Sequence, residues 1–349
     1  MAKIVLHIGA HKTATSYLQA VFHRNRSLLQ ASGLYYPYIG PNNAHHALAG
    51  QWFQINDLPE GFYGPAGPVG LWDEFIKTHV NLEGTLFLSA ENFTRVYPHR
   101  VNMAELAERL AVFEEVRIVY TLRRQVELIP SVWAQISKMN FVPSVWTFMR
   151  TVFDERRAKG VPIDHNAVYH ELLTGFAPEQ IHLLDYSRFR AHPAGVVGVF
   201  LDLLGVAVDP ATLVQPPEDE ANISPDPLAL FIASQIVGPE IKAPPPHELV
   251  ANLQGLLDTL CTGPRTLLAK HEYAKVKERF RHGNQTLVDS VQPYQPGFSF
   301  DEGTTPEGLF YRDDLNDQAW IKIAAALYAW GQNGHSRGAG RLRSKFMRH

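Results

Sequence analysis

The chain has 349 residues, of which 45% are hydrophobic and 19% are charged, and its net charge is −3. This composition is typical of a globular protein with a sizeable core, and it lacks the overall basic charge of duplex-binding proteins, so nucleic acid is not an expected partner. Cys261 is the only cysteine, which excludes an intrachain disulfide. We see no signal-peptide core and no apolar run of about 18 residues, so we expect a cytoplasmic protein without a membrane span.

Apolar runs of strand length alternate with segments of helical spacing up to Gly205. This alternation predicts an α/β fold with three layers, in which a parallel sheet is flanked by helices on both faces. In chain order, the predicted elements are a strand and helix over 4–29, an aromatic turn over 33–38, a helix over 69–80, a strand over 85–89, a helix over 104–113, a strand over 116–122, a helix over 125–138, helical spacing over 145–159, a strand over 181–186 and a helix over 194–204.

The character of the chain changes after Pro210, where two proline-rich polar segments read as connections. We therefore predict a single α/β domain over 1–335, in which 216–335 is mostly helical, followed by a basic tail over 336–349. The tail is interpreted as solvated, with a tether for an anionic substrate or membrane surface as the alternative. The predicted late elements are helices over 226–237, 247–260, 265–280 and 317–330, with a turn-rich stretch over 292–308.

The first strand runs into a loop that carries a lysine and hydroxyl residues, Gly9–Ser16. A helix N-terminus after such a loop offers free N–H groups and a partial positive charge, so it can hold a phosphate. Lys12 adds a full charge, and the other candidate contacts are Gly9, His11, Thr13, Ala14, Thr15 and Ser16. Two residues separate Gly9 from Lys12, so the loop does not match the G-x-x-x-x-G-K-[ST] pattern of nucleotide triphosphatases. A strand, turn and helix with an incidental lysine is the alternative.

This shortened loop, with alanine at position 14, resembles the 5′-phosphosulfate loop of sulfotransferases that use 3′-phosphoadenosine 5′-phosphosulfate (PAPS). The resemblance implies a P-loop-like α/β fold, PAPS as co-substrate, adenosine 3′,5′-bisphosphate (PAP) as product, and no metal. It also implies that Arg123, which leaves the third predicted strand, and Ser131, eight positions later, bind the 3′-phosphate. A planar guanidinium and a hydroxyl suit that group. The segment around Arg123 is similar to the bacterial branch of the family.

Glu91 follows the second predicted strand in the sequence Ser89-Ala90-Glu91, which resembles the family's S-x-E ending beside the sulfuryl acceptor. Glu91 is therefore a candidate base that takes the proton from the attacking hydroxyl, and His46 or His45 is the alternative base. A solvated glutamate and structural histidines are the simpler interpretation. The histidine pair is not a metal signature, because no third ligand has suitable spacing.

The segment 278–285 resembles the part of bacterial relatives that closes over the nucleotide. By this resemblance, Arg279 and Arg281 contact the 3′-phosphate or the adenosine, and Asn284 belongs to the same segment. Gly283 before the asparagine and Asp289 after it depart from the family pattern.

The sequence therefore predicts a sulfotransferase in which Lys12 stabilises the leaving group and Glu91 or a histidine acts as base. A carbohydrate or glycolipid hydroxyl is the expected acceptor, with phenols, steroids and protein tyrosines left open. Two alternatives remain at this point. One is a P-loop kinase or ATPase that uses Mg-ATP, with Asp185 as its strand-end acid. The other is a non-catalytic nucleotide-binding protein of the same fold.

Overall fold

The computed structural model describes residues 1–139, 142–217, 225–238, 243–300 and 302–346, without the side chains of 139 and 333–346. The strands are β1 (Lys3–His7), β2 (Leu34–Tyr35), β3 (Thr85–Ser89), β4 (Glu115–Leu122), β5 (Arg157–Ala158), β6 (Val161–Pro162) and β7 (Ile181–Asp185). The helices are α1 (Thr15–Arg24), α2 (Arg26–Ala31), α3 (Gly67–His79), α4 (Met103–Leu110), α5 (Gln125–Met139), α6 (Val145–Glu155), α7 (His165–Leu172), α8 (Ser187–Ala191), α9 (Gly195–Leu204), α10 (Pro227–Val237), α11 (His247–Leu260), α12 (Lys270–Val291) and α13 (Asp317–Phe346).

The chain divides into two compact units. The first comprises 1–132, 144–223 and 276–303 and contains the sheet, and the second comprises 133–143, 224–275 and 304–349. Whether 1–335 behaves as one domain stays a prediction. The basic side chains of the proposed tail, Arg337, Arg341, Arg343, Lys345 and Arg348, lie outside the described residues. No helix in the described part of the chain is both long enough and apolar enough to cross a bilayer.

The main sheet has five parallel strands in the order β2-β3-β1-β4-β7. β1 lies at its centre, and His7 at the end of β1 pairs with Ser89 of β3 and with Val119 of β4. The loop after β1 and the segment after β3 therefore emerge side by side at the carboxyl edge, where parallel α/β sheets bind ligands. The predicted three-layer α/β class is confirmed.

Both faces of the sheet are buried, which explains the continuous apolar runs in its strands. Ile4 and Leu6 of β1 belong to one core, together with Leu86 and Ile118 from the neighbouring strands. Val5 points to the other face, where the second core contains Phe22, Phe87, Val119 and Phe200. Side chains alternate between the faces along a strand, so one apolar run fills two cores.

Several predicted boundaries were wrong. The 33–38 segment is not only a turn, because Leu34 and Tyr35 form β2 and pair in parallel with β3. The helix over 145–159 ends at Glu155 and is followed by the short antiparallel pair of β5 and β6. The helix over 265–280 instead covers Lys270–Val291. Leu287 and Val291 are buried, so their burial outweighs the modest helix penalty of Gly283.

The second unit is built on α10, α11 and α13, together with the start of α12. Asp226 caps α10 by accepting hydrogen bonds from the amides of Leu228 and Ala229, and it also accepts one from Arg265. Arg312 donates to the buried carboxylate of Glu272 at 3.0 Å. A buried charge needs a partner of this kind, and this pair supplies one for both Glu272 and Arg312.

Candidate functional site

The loop after β1 has the backbone of an anion-binding turn. Gly9 has a φ of +104°, and a Cβ placed there would lie 3.3 Å from Cβ and Cγ of Glu91, so glycine allows the loop to run against that side chain. Lys12 and Ala14 also have positive φ, at 64° and 60°. Left-handed residues two positions apart in such a loop are typical of turns whose N–H groups converge on an anion.

Two of the loop hydroxyls hold the loop itself in shape. Thr13 Oγ1 donates to the carbonyl of Ala10 at 2.7 Å and lies 3.3 Å from Thr15 Oγ1, and both threonines are buried. Ser16 is exposed at the start of α1. Ala14 supplies no side-chain cap, and the first turn of α1 contains no acidic residue, so this helix N-terminus keeps its capacity for an anion.

Arg123 joins the two sequence motifs. Its Nη1 donates to the backbone carbonyl of Lys12 at 2.5 Å and to Ser131 Oγ at 3.3 Å. The guanidinium carbon lies 4.9 Å from the centre of the Tyr186 ring. Its Nε is buried and has no hydrogen-bond partner among the described residues, although Glu127 Oε2 lies 3.5 Å away as an ion pair. Burial lowers the pKa of Arg123, but a guanidinium stays charged at neutral pH.

A buried pair that the sequence did not reveal positions the backbone of Arg123. His165 Nε2 lies 2.8 Å from the Arg123 carbonyl, and His165 Nδ1 lies 2.8 Å from Tyr120 Oη. A carbonyl can only accept, so Nε2 carries the proton and Nδ1 accepts from the tyrosine. Burial lowers the pKa of His165, which keeps this ring neutral. A histidine in a loop-to-helix segment gives no sequence signal for this role.

The C-terminal motif reaches the start of α5 through its asparagine. Asn284 Nδ2 donates to Gln125 Oε1 at 3.1 Å, and Gln125 Nε2 donates back to Asn284 Oδ1 at 3.0 Å. Arg279 and Arg281 are exposed, and Arg281 pairs with Glu278 at 2.9 Å. A contact between these two arginines and a nucleotide therefore stays a prediction.

Glu91 lies buried directly after β3, with one carboxylate oxygen facing two side chains. Gln19 Nε2 donates to Glu91 Oε2 at 3.2 Å and to Ser89 Oγ at 3.1 Å, and His46 Nε2 lies 3.5 Å from the same Oε2. Gln19 was not among the residues predicted from the sequence, although a glutamine among the apolar residues of α1 is a signal of a polar partner.

The charges around Glu91 keep its side chain ionised, as a proton acceptor must be. Burial raises the pKa of Glu91, but the neighbouring His46 and His11 outweigh it, so the net pKa lies below the usual value and the group is a carboxylate at neutral pH. His11 is half-buried and its Nε2 is fully enclosed, and burial lowers the pKa of His11 to about 4.

The two histidines proposed as alternative bases differ sharply. His45 Nδ1 accepts from the backbone N–H of Ser89 at 2.9 Å, and its Nε2 donates to the Pro37 carbonyl at 2.8 Å. Both ring nitrogens are occupied, and burial lowers the pKa of His45 to about 4. His7 is likewise enclosed between Ser89 Oγ and Thr121 Oγ1. Of the histidine pair, the geometry therefore favours His46 over His45 as a partner in proton transfer.

Asp185, the acid that the kinase alternative requires, accepts a backbone hydrogen bond. Asp185 is buried at the end of β7, and its Oδ1 accepts from the backbone N–H of Ser187 at 2.8 Å. β4 separates β7 from β1, the strand that leads into the loop. Among the described residues, no group of three or more His, Cys, Asp or Glu side chains is placed to hold a metal ion.

Structural comparison finds sulfotransferases. The chain is similar to a sulfotransferase from Alicyclobacillus acidocaldarius, with 21% identity, a TM-score of 0.38, and coverage of 74% of this chain and 96% of that one. Mouse sulfotransferase SULT7A1 complexed with PAP matches at 13% identity and a TM-score of 0.34, over 63% of this chain and 60% of that one. The sulfotransferase domain from the curacin biosynthetic pathway matches at 13% identity and a TM-score of 0.33, over 74% of this chain and 98% of that one. No family model and no curated protein matches the chain.

Proposed function

We propose that this chain transfers a sulfuryl group from PAPS to an acceptor hydroxyl, on a carbohydrate or glycolipid. The observation that supports it most is the Arg123 guanidinium, which is hydrogen-bonded to both the Lys12 carbonyl and the Ser131 hydroxyl. A nucleotide with phosphates on the 3′ and 5′ carbons of its ribose needs two anion sites at a fixed separation. This contact links a phosphate loop to an arginine and serine pair.

The residues present fit such a substrate. The amides of the Gly9–Ser16 loop, the Lys12 ammonium and the Ser16 hydroxyl would hold the 5′-phosphosulfate. Arg123 and Ser131 would hold the 3′-phosphate. The buried Nε of Arg123 has no hydrogen-bond partner among the described residues, and a buried donor of this kind is expected to have one.

The chemistry follows from what these groups can do. As the acceptor oxygen bonds to sulfur, the bond from sulfur to the phosphate oxygen breaks and negative charge develops on that oxygen. Lys12 and the loop amides would stabilise this charge. The Glu91 carboxylate would take the acceptor's proton, and His46, 3.5 Å from its Oε2, would stabilise or relay it. Much of the rate would come from holding the reactants in line.

Calorimetric titration with PAP, beside Mg-ATP, tests this proposal. We expect metal-independent PAP binding that weakens about 10- to 100-fold in Arg123→Ala, because a charge-assisted contact contributes about 1.5–3 kcal/mol. Arg117→Ala is the matched control, since Arg117 lies near the other end of β4 and pairs with Glu115.

The outcomes separate the three candidate functions. Binding of Mg-ATP alone would replace the proposal with the kinase and would return attention to Asp185. PAP binding without release of PAP from PAPS, in the presence of a pool of hydroxylated acceptors, would indicate a non-catalytic binding protein. Equal loss in Arg123→Ala and Arg117→Ala would remove Arg123 from the site.

A further inference from the structure

The first unit contains a cavity of about 290 Å³ that is lined in part by the short turn to which Glu91 belongs. Phe93 and Thr94, which line it, belong to the same short turn as Glu91, and Thr94 Oγ1 donates to the Glu91 carbonyl at 2.9 Å. In chain order, the residues that line the cavity therefore start two positions after the proposed base. Its size approaches that of pockets that bind small organic molecules.

The wall of this cavity combines apolar side chains with several arginines. Its apolar lining includes Phe93, Val96, Val101, Met103 and Val168. Its charged lining consists of Arg95, Arg100, Arg156 and Arg157, together with Glu155, Asp164 and Glu171. Four cations against three carboxylates leave one positive charge without a partner inside the cavity.

Three of the four arginines already have carboxylate partners. Arg156 pairs with Asp164 at 3.0 Å, and Arg100 pairs with Glu171 at 3.3 Å. Arg157 pairs with Glu155, and its guanidinium also lies over the Tyr97 ring at 4.1 Å. Their charges are therefore largely compensated.

Arg95 is the exception, because within the described residues its side chain makes no ion pair and no hydrogen bond. The fold nevertheless holds it in place. The backbone N–H of Val96 donates to the Gly160 carbonyl at 3.1 Å, and a Cβ at Gly160 would lie 3.1 Å from Arg95 Nε. Glycine at 160 thus leaves room for the guanidinium between the cavity and the turn that joins β5 and β6. The charge of Arg95 also acts on the loop after β1, because it contributes to lowering the pKa of His11.

We infer that this cavity is the acceptor subsite and that Arg95 binds an anionic group, such as a carboxylate, on the hydroxyl compound to be sulfated. The assignment of the cavity as an acceptor subsite rests on the proposed function, whereas anion binding at Arg95 does not. A carboxylate beside a half-buried guanidinium forms a paired, charge-assisted contact. The apolar side chains of the lining would contact the body of the molecule.

Ligand-observed NMR with matched probes tests the inference without requiring turnover. The probes are 4-hydroxyphenylacetate against 4-hydroxyphenylacetamide, and glucuronate against glucuronamide. Each pair differs in charge and hardly in shape, and the two pairs distinguish an aromatic from a sugar body. For at least one pair, we expect the acid to bind about tenfold more tightly than the amide, and the ratio to fall to about one in Arg95→Gln. Arg150→Gln is the control, because Arg150 is exposed on α6 and does not line the cavity.

Equal affinity for acid and amide in both pairs, no binding of either acid, or an unchanged ratio in Arg95→Gln would each overturn the inference. Failure of the sulfotransferase proposal gives a different pattern. PAP would then not bind, while the acid preference and its loss in Arg95→Gln would persist as a small-molecule anion site. If PAP binds and the acids do not, the proposed function stands and the anionic acceptor is rejected.

Discussion

The side chain of Arg123 donates a hydrogen bond to the backbone carbonyl of Lys12, across 111 positions of the sequence. This bond holds the loop after β1 against the end of β4. The backbone of Arg123 is itself fixed, because His165 donates to the Arg123 carbonyl and accepts from Tyr120. Hydrogen bonds therefore hold the candidate anion site in place at the carboxyl edge of the sheet, as a preorganised site requires.

Lys12→Ala should strongly reduce turnover while leaving the fold intact. Lys12 is only partly buried in a surface loop, and the contribution expected of it is to stabilise charge that develops during transfer. Loss of one such group costs about 10²- to 10³-fold in kcat. PAP release from PAPS measures the effect, and circular dichroism checks the fold. Lys3→Ala is the control, because Lys3 pairs with Glu115 at the opposite end of β1. Normal turnover in Lys12→Ala would contradict the mechanism.

Neighbouring histidines should give opposite phenotypes. His45→Ala leaves the Ser89 amide and the Pro37 carbonyl without partners in a buried place, which costs about 1–3 kcal/mol for each unsatisfied group. We expect a lower free energy of unfolding, measured by urea denaturation. His46→Ala should leave stability nearly unchanged and slow PAP release. The reverse pattern would exchange the roles assigned to the two residues.

Stability should fall as the solution is acidified below about pH 6.5. Burial lowers the pKa of His7, His11 and His45 from 6.5 to about 4. Between these values the unfolded state binds protons that the folded state does not, so the unfolding free energy decreases with falling pH, by up to about 1.4 kcal/mol per pH unit for each histidine. Urea midpoints from pH 7.5 to 4.5 measure the slope.

The variant His45→Gln should make this slope shallower by about one proton, because glutamine does not titrate. The matched control is His99→Gln, which removes an exposed rather than a buried imidazole. A pH-independent midpoint in the wild-type chain would show that the buried histidines do not carry this coupling.

Gly9→Ala should damage both the fold and the site. The φ of +104° costs a residue with a Cβ about 1–2 kcal/mol. The new methyl group would also press on Glu91 at 3.3 Å. Gly61→Ala separates the two effects, since Gly61 has a φ of +73° and no neighbour within 4 Å. Both variants should lose stability, and only Gly9→Ala should also lose PAP release. Equal activity in the two would mean that Glu91 has room to move.

The fold class, and the edge of the sheet at which the candidate site lies, could both be predicted from the sequence. Buried parallel strands read as apolar runs, and the chemistry-bearing residues Gly9, Glu91 and Arg123 follow directly after such runs. The carboxyl ends of parallel strands meet at one edge, so these residues had to lie near one another. Local patterns of this kind predict the fold because apolar residues occur where a strand is buried.

Other features depend on contacts between distant segments, which local sequence patterns do not encode. β2 is two residues long, too short for a periodic signal, and exists because β3 offers a partner. Adjacent histidines look alike in sequence, yet one is fixed by two backbone groups and the other faces a carboxylate. Likewise, the ion pairs in the cavity leave Arg95 as the cavity arginine whose side chain has no ion pair among the described residues. Hydrogen bonds and ion pairs between distant segments depend on where the chain brings atoms together, and only the folded chain fixes those distances.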